Sequence, residues 1–126
     1  MNQNNLTEVV DRYFAAWNEI DAVRRRALIA QTWVDDASYL DPLMQGQGHA
    51  GIDAMIAAVQ ERFAGHQFHL TGAVDAHHDR IRFAWELAPE SGVAVVAGTD
   101  FGVVAADGRL RSITGFLDHM PATGSA

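Results

Sequence analysis

The chain has 126 residues, of which 48% are hydrophobic and 20% are charged, a composition that excludes disordered and fibrous proteins. The formal net charge of −7 argues against a nucleic-acid partner, because phosphate binding needs concentrated positive charge. The chain contains no cysteine, which excludes disulfides, thiolate nucleophiles and cysteine-containing zinc sites. The run Arg24 to Arg26 is the one basic cluster, and we interpret it as a solvated helix face.

No apolar run approaches the roughly 20 residues that cross a bilayer. The polar start of the sequence lacks the basic and apolar regions of a signal peptide. We therefore expect a cytoplasmic protein with no membrane partner.

Two helices are predicted at the start of the chain. Apolar side chains recur at three- and four-residue spacing from Leu6 to Ile20, which indicates a helix with one buried face. Asn5 and Glu8 are spaced like a capping pair for this helix. Asp21 is the predicted N-cap of a second helix over about residues 22 to 33.

Three aspartates follow the second helix. Asp35 and Asp36 stand where the helix must end and the chain must reverse, so we interpret them as turn residues. The next residues are predicted to be extended, and Pro42 favours extended geometry at Asp41. The alternation of a strand then places Tyr39 and Asp41 on one face. From this pattern alone, Asp41 is equally well a turn residue or a catalytic carboxylate.

A third helix is predicted from Ile52 to Phe63, entered after Gly51 and ended at Gly65. Beyond it the hydrophobic period changes from 3.6 towards 2, which predicts strands separated by turns. Four strands are predicted, over residues 68–74, 81–87, 93–104 and 109–118. Glycines within these strands indicate bends or close approaches, and they are Gly98, Gly102 and Gly115.

This order of elements predicts an α+β fold. Helices followed by hairpin-linked strands pack on one face of a curved sheet that is mixed but mostly antiparallel. A sheet that curls under three helices forms a cone with a pocket at its mouth. We therefore expect one pocket-forming domain.

Two further residues stand out for their chemistry. Asp100 interrupts an apolar run, VAVVAGTDFGVV, and burial there should raise its pKa and can keep it protonated at neutral pH. A buried aspartate satisfied by backbone donors is the alternative. Tyr13 lies on the buried face of the first helix, where its hydroxyl needs a polar partner, although alone it is typical of a core residue.

Three segments together resemble the ketosteroid isomerase branch of the NTF2-like, or SnoaL-like, superfamily. They are VVDRYFAAWN at 9–18, VDDASYLDPL at 34–43 and VVAGTDFGVVAADGRL at 95–110. The similarity extends over about residues 6–118 in element order. It implies a single cone-shaped NTF2-like domain over residues 1–126, and it implies a homodimer.

The resemblance also implies an activity, which is that of a ketosteroid isomerase-like isomerase or a polyketide cyclase. Asp41 would remove a proton alpha to a carbonyl, while Tyr13 and protonated Asp100 would donate hydrogen bonds to the enolate oxygen. No metal or organic cofactor is then needed, and the ligand would be a small apolar carbonyl compound. The side chains expected to line the pocket are Trp17, Trp33, Tyr39, Met55, Phe63, Phe83, Trp85 and Phe116.

Other functions stay open. A noncatalytic NTF2-like module that binds a small ligand or dimerises would share the fold. Epoxide hydrolase-like chemistry needs an arginine between two carboxylates; Arg82, Asp100 and Asp118 supply these types, but strand alternation places Arg82 on the solvent side. A metal site at His77 and His78 is disfavoured, because adjacent strand residues point to opposite faces.

Overall fold

Three helices pack on one six-stranded sheet in the computed structural model, which describes residues 3 to 120, with side chains from Leu6 onwards. The helices are α1 (Gln3–Asn18), α2 (Ala22–Thr32) and α3 (Gly48–Arg62). The strands are β1 (Trp33–Leu40), β2 (Gln45–Gln47), β3 (His66–His77), β4 (Arg80–Pro89), β5 (Val96–Val104) and β6 (Leu110–His119). The predicted α+β order of elements is confirmed.

The strands lie in the order β2-β1-β6-β5-β4-β3. Strands β3 to β6 form consecutive antiparallel pairs, as expected for strands joined by turns. Strand β1 instead runs parallel to β6 and antiparallel to β2, which makes the sheet mixed. The parallel pair places the end of β1 beside the middle of β6, and this juxtaposition positions the site described below.

Bends in the sheet lie at irregular positions of the strands. The pairing of β3 with β4 shifts register between Thr71 and Asp75, next to Gly72, whose φ of 85° is in the left-handed region. In β5, a Cβ on Gly98 would lie 2.4 Å from Cζ2 of Trp85, so only glycine lets that indole lie against the strand. The prediction that strand glycines serve bends or close approaches is confirmed at this position.

The face of α1 predicted to be buried packs into the core. Leu6, Val9, Val10, Tyr13 and Trp17 are all buried, and their spacing of three and four residues places them on one side of the helix. The core continues through the inward-facing residues of the sheet, among them the fully buried Trp33 and Phe83. No helix in residues 3 to 120 is long and apolar enough to cross a membrane.

The helix boundaries differ from prediction in two places. Helix α1 begins at Gln3, so Asn5 lies within the helix rather than at its N-cap. Helix α3 begins at Gly48 rather than after Gly51, preceded by the unpredicted strand β2, whose three residues are too short to show a period. The N-cap at Asp21 is confirmed, because its side chain accepts a 2.9 Å hydrogen bond from the backbone N–H of Arg24.

The turn predicted at Asp35 and Asp36 does not exist. Helix α2 passes directly into β1 at Trp33, and both aspartates are exposed strand residues. Two successive exposed residues fit the register shift in the pairing of β1 with β6 between Trp33 and Ser38. The chain reverses later, after Leu40.

Arg25 is buried, so the prediction of a solvated arginine face is wrong for the middle residue of the run. Helical spacing turns Arg25 inward with Ile29, four residues on. Its Nε lies 2.7 Å from Oδ1 of Asp53, and its Nη1 donates to Oε1 of Gln60 at 2.9 Å and to the carbonyl of Glu19 at 3.2 Å. Arg25 therefore joins α2 to α3 and to the segment after α1.

Candidate active site

Asp100, Gly115 and Asp41 lie side by side on three neighbouring strands. Asp100 of β5 pairs with Gly115 of β6, and the parallel register of β1 brings Asp41, the residue after that strand, against the same glycine. A Cβ on Gly115 would lie 2.8 Å from Oδ1 of Asp100, 3.3 Å from Cβ of Asp41 and 3.4 Å from the hydroxyl of Tyr39. The missing side chain at Gly115 thus lets these polar groups converge.

Tyr13 reaches this point from α1. Its hydroxyl donates a 2.5 Å hydrogen bond to Oδ2 of Asp100, and its ring is held between those of Trp33 and Phe83 at centroid distances of 5.4 and 5.3 Å. The structure brings all three residues predicted as catalytic to one place. Tyr13 and Asp100 were expected to donate side by side to one ligand oxygen. The single hydroxyl proton of Tyr13 is instead donated to Asp100.

Burial raises the pKa of Asp100 to about 6. The hydrogen bond from Tyr13 and the nearby indole N–H of Trp85 oppose the rise, and the charge of Asp41 adds to it. The direction agrees with the prediction, and a pKa of about 6 lies close enough to neutral pH for the carboxyl to exchange a proton. Burial, followed by the Asp100 charge, raises the pKa of Tyr13 well above its ordinary value, so this hydroxyl stays a donor.

Three buried polar atoms at this place have no aligned hydrogen-bond partner in the described part of the chain. They are Oδ1 of Asp100 and the indole Nε1 atoms of Trp17 and Trp85. Buried polar atoms without partners are uncommon in native proteins, and these three belong to residues that line one cavity. Residues beside the cavity therefore hold one carboxyl oxygen and two N–H groups whose hydrogen-bonding capacity is unused.

Asp41 both forms a turn and lines the cavity. Its Oδ1 accepts hydrogen bonds from the backbone N–H groups of Leu43 at 2.8 Å and Met44 at 3.0 Å, the pattern by which aspartate stabilises a turn. Its Oδ2 accepts a 2.7 Å hydrogen bond from the hydroxyl of Tyr39. Burial, with the charges of Asp100 and Asp41, raises the pKa of Tyr39 above its ordinary range, so that hydroxyl is the donor. Asp41 is therefore a turn residue, as one interpretation of the sequence predicted, and its position at the cavity is compatible with the other interpretation, a catalytic carboxylate.

The cavity has a volume of about 230 Å³ and mainly apolar walls. It lies between α1, the end of α3 and the concave face of the sheet, with Tyr13 and Asp100 at its buried end. Four of the eight side chains expected to line it do so, namely Trp17, Tyr39, Phe63 and Trp85. Further apolar lining comes from Phe14, Met44, Val59, Phe68, Leu87 and Leu117.

The other four expected lining residues do not reach the cavity. Trp33, Met55 and Phe83 are buried in the core, where Trp33 and Phe83 support the ring of Tyr13 instead. Phe116 is 58% exposed on the opposite face of the sheet, because strand alternation turns it away from its neighbours Gly115 and Leu117.

Arg62 is a lining residue that the sequence interpretation missed. It lies in the last turn of α3, three residues after Val59 and next to Phe63, both of which line the cavity. The helical spacing from Val59 would have indicated it, since residues three apart share a face. Besides the two aspartates, Arg62 supplies the remaining formal charge of the lining set.

The structure also bears on the epoxide hydrolase-like alternative and on a metal site at the histidines. Arg82 is exposed and pairs with Asp75, and Asp118 is exposed and accepts from Thr99, so no arginine stands between carboxylates at Asp100. His78 has a φ of 51° in the turn after β3, and its Nδ1 lies 3.1 Å from that of His77, so the expectation of opposite faces was wrong. Within residues 3 to 120, no group of three or more histidine or acidic side chains could hold a metal ion.

Comparison with known structures identifies the class of protein. A cystatin-like protein of unknown function from Methylobium petroleophilum PM1 superposes with a TM-score of 0.75 at 20% identity, covering 98% of this chain and 82% of that one. A SnoaL-like protein from Jannaschia sp. CCS1, named provisionally as a polyketide cyclase, superposes with a TM-score of 0.71 at 18% identity, covering 91% and 86%. These neighbours establish the NTF2-like, cystatin-like fold.

A more similar structure establishes the family. A SnoaL-like family protein from Agrobacterium tumefaciens strain C58, named provisionally as an isomerase, is 42% identical, with a TM-score of 0.87, and covers 92% of this chain and 99% of that one. The chain belongs to the SnoaL-like family. No family model matches the sequence, and no curated protein matches it.

Proposed function

We propose that the protein is a cofactor-independent enzyme that moves a proton on a small carbonyl compound, as an isomerase or a cyclase. The observation that carries the proposal is the buried carboxyl of Asp100, a residue that lines an apolar cavity, with one oxygen bonded to Tyr13 and the other without an aligned partner. A pKa of about 6 lies close to neutral pH, where a group can both accept and return a proton. The similarity to SnoaL-like proteins named as isomerase and cyclase supports the same class of chemistry.

In this mechanism Oδ1 of ionised Asp100 removes a proton from the carbon next to the carbonyl. The electron pair of the broken C–H bond delocalises onto the carbonyl oxygen as an enolate. Asp100 then returns the proton to the far carbon of the dienolate. In a cyclisation the enolate carbon instead attacks a second carbonyl, whose π electrons move to its oxygen, and that oxygen takes the proton from Asp100. The unpartnered indole N–H groups of Trp17 and Trp85 are the available donors for the enolate oxygen.

Tyr13 acts through Asp100 in this mechanism and is a positioning residue. Its hydrogen bond fixes Oδ2 and aims Oδ1 at the cavity, and it also opposes the burial that raises the pKa of Asp100. Tyr13→Phe should therefore move the midpoint of the pH–rate profile upwards as well as lower the rate. A purely structural role would lower the rate without moving the midpoint.

The alternative role assignment is the one implied by ketosteroid isomerases, with Asp41 as base and protonated Asp100 as hydrogen-bond donor. The contacts favour Asp100 as base, because the oxygens of Asp41 already accept three hydrogen bonds. The carboxyl of Asp100 accepts one, from Tyr13, and has only the indole N–H of Trp85 near it without an aligned bond to Oδ1. The direction of the pH–rate profile separates the two assignments. A base at Asp100 gives a rate that rises with pH through about 6, whereas a protonated donor gives a rate that falls.

A test substrate should be small. The cavity volume of about 230 Å³ lies below the roughly 300–1,000 Å³ usual for drug-sized ligands, which favours one or two rings. We expect the protein to convert a β,γ-unsaturated cyclohexenone to the conjugated enone, followed by ultraviolet absorbance. Asp100→Asn should lower kcat by about a hundredfold or more, within the usual range of general acid–base catalysis.

Two glycines give a matched control for the geometry. Gly115→Ala inserts a methyl group between Asp100, Asp41 and Tyr39 and should abolish turnover. Gly102→Ala meets side-chain atoms of Ile81 (Cγ1) and Ile113 (Cδ1), both at 3.0 Å, rather than the polar groups of the site, and should leave turnover largely intact. Binding of β-naphthol, an enolate mimic, without any isomerisation would instead identify a noncatalytic binding module.

A further inference from the structure

We propose that Arg62 binds a carboxylate of the substrate, so that the ligand is an apolar carbonyl compound with an anionic group at its outer end; this inference rests on the proposed function. The charged residues that line the cavity are Asp41, Asp100 and Arg62. The two acids lie together at Gly115, and Arg62 belongs to a different wall, the end of α3. The cavity thus has acidic and basic groups on separate walls, joined by apolar surface.

The exposed fractions of the lining residues show which of them lie at the buried end of the cavity and which lie at its mouth. Asp100 is 1% exposed, whereas Leu43 is 62% exposed and Arg62 is also exposed. A ligand whose carbonyl reaches Asp100 would therefore extend towards Arg62 and solvent. Its outer end would lie where the guanidinium can meet it.

The guanidinium of Arg62 lies over a neighbouring aromatic ring and has unused hydrogen-bonding capacity. Its Cζ is 5.5 Å from the centroid of the Phe63 ring, within cation–π distance. It makes no ion pair with any residue between 3 and 120. Its planar fork of N–H donors matches the two oxygens of a carboxylate.

Electrostatics supports the same orientation of the ligand. The chain carries a formal net charge of −7, and two carboxyl groups lie near the buried end of the cavity. An anionic group is repelled by these carboxyl groups and attracted by the positive charge of Arg62. A substrate with a carboxylate would therefore bind with that group outward and its carbonyl inward.

The test compares two ligands that differ in one charge, β-naphthol and the hydroxynaphthoate with a carboxylate on the second ring. Isothermal titration should show the hydroxynaphthoate binding the wild-type protein about tenfold more tightly, which corresponds to about 1.4 kcal/mol. Arg62→Gln should remove this preference, so that the variant binds the two ligands with similar affinities. Arg26→Gln, an exposed arginine on α2 away from the cavity, is the matched control and should change neither affinity.

Helix stabilisation is the other possible role of a basic residue in the last turn of α3, and it gives a different result. In that case Arg62→Gln lowers the free energy of unfolding while both ligands keep their affinities, which overturns the proposal. Equal binding of both ligands by the wild-type protein also overturns it. If the protein isomerises the enone but shows no carboxylate preference, the Arg62 proposal fails and the proposed function stands. If neither ligand binds and no enone reacts, both fail.

Discussion

Among the acidic residues, position in the tertiary structure decides what each carboxyl can do. Asp35, Asp36 and Asp41 lie within seven positions of the sequence, yet the first two are exposed strand residues and the third lies at a cavity. Asp100 differs from all of them, because it is buried beside Tyr13 with one oxygen unpartnered. Chemistry at this site depends on burial and neighbours rather than on residue type.

The raised pKa of Asp100 predicts a pH dependence of stability. The folded value of about 6 exceeds the ordinary value of 3.8, so the folded state binds this proton more tightly than the unfolded state. The free energy of unfolding should therefore fall as pH rises from about 4 to about 6, by roughly 3 kcal/mol from this group alone, and then stay level.

Urea unfolding of the wild type and of Asp100→Asn across this range measures the effect. The amide keeps an acceptor for Tyr13 but does not titrate, so other groups cancel in the difference between the two proteins. The variant should therefore gain stability relative to the wild type as pH rises. A difference that stays constant with pH would show that the pKa of Asp100 is not raised.

At the scale of elements, the helices are held together by a polar contact as well as by apolar packing. Arg25 is 6% exposed and bonds to Asp53 and Gln60 of α3 and to the carbonyl of Glu19. Hydrophobic periodicity predicts the helices themselves, but it does not show how they are joined. A charged residue within a basic run gives no sign of its burial until its partners are brought near it.

We expect Arg25→Ala to lower the free energy of unfolding by roughly 3 kcal/mol, because it leaves the carboxyl of Asp53 and Oε1 of Gln60 without their donor. Arg26→Ala removes a neighbouring exposed arginine and should change stability by less than about 0.5 kcal/mol. Chemical denaturation of the two variants measures both values. Similar stabilities for the two would contradict a structural role for Arg25.

At the scale of the whole molecule, the parallel pairing of β1 with β6 assembles the site. It joins the first half of the chain to the last strand and brings Asp41 against Gly115, opposite Asp100. The pairing also leaves the outer face of β5 and β6 uncovered by any helix of the described chain. Phe101 and Phe116 lie diagonally across these strands on that face and are 36% and 58% exposed.

The homodimer implied by the family stays a prediction, and this outer face is where we expect a second copy to pack. Sedimentation velocity should give twice the chain mass for the wild-type protein. Phe116→Glu should give a monomer, whereas Val23→Glu, at an exposed apolar residue of α2, should not change the mass. A monomeric wild type, or a dimer that survives Phe116→Glu, would contradict the prediction.

The sequence by itself determined the order of the helices and of the long strands, and the identity of three residues that the structure brings to one place. Periodicity is a local property, so helices and long strands can be predicted from it, as can the cap at Asp21. The candidate residues Tyr13, Asp41 and Asp100 could be identified from the sequence for two reasons. Polar residue types stand out within apolar runs, and the segments that contain these residues resemble a family.

Only the tertiary structure decided how those residues are connected. Tyr13 donates its hydroxyl proton to Asp100 instead of pointing at a ligand beside Asp100. Gly115 leaves room for the two acids, and Arg62 lines the same cavity. All three are contacts between distant segments of the chain. Strand order and parallel pairing create these contacts, and no local period encodes them. The pKa of Asp100 follows from them too, because desolvation depends on everything that surrounds the carboxyl.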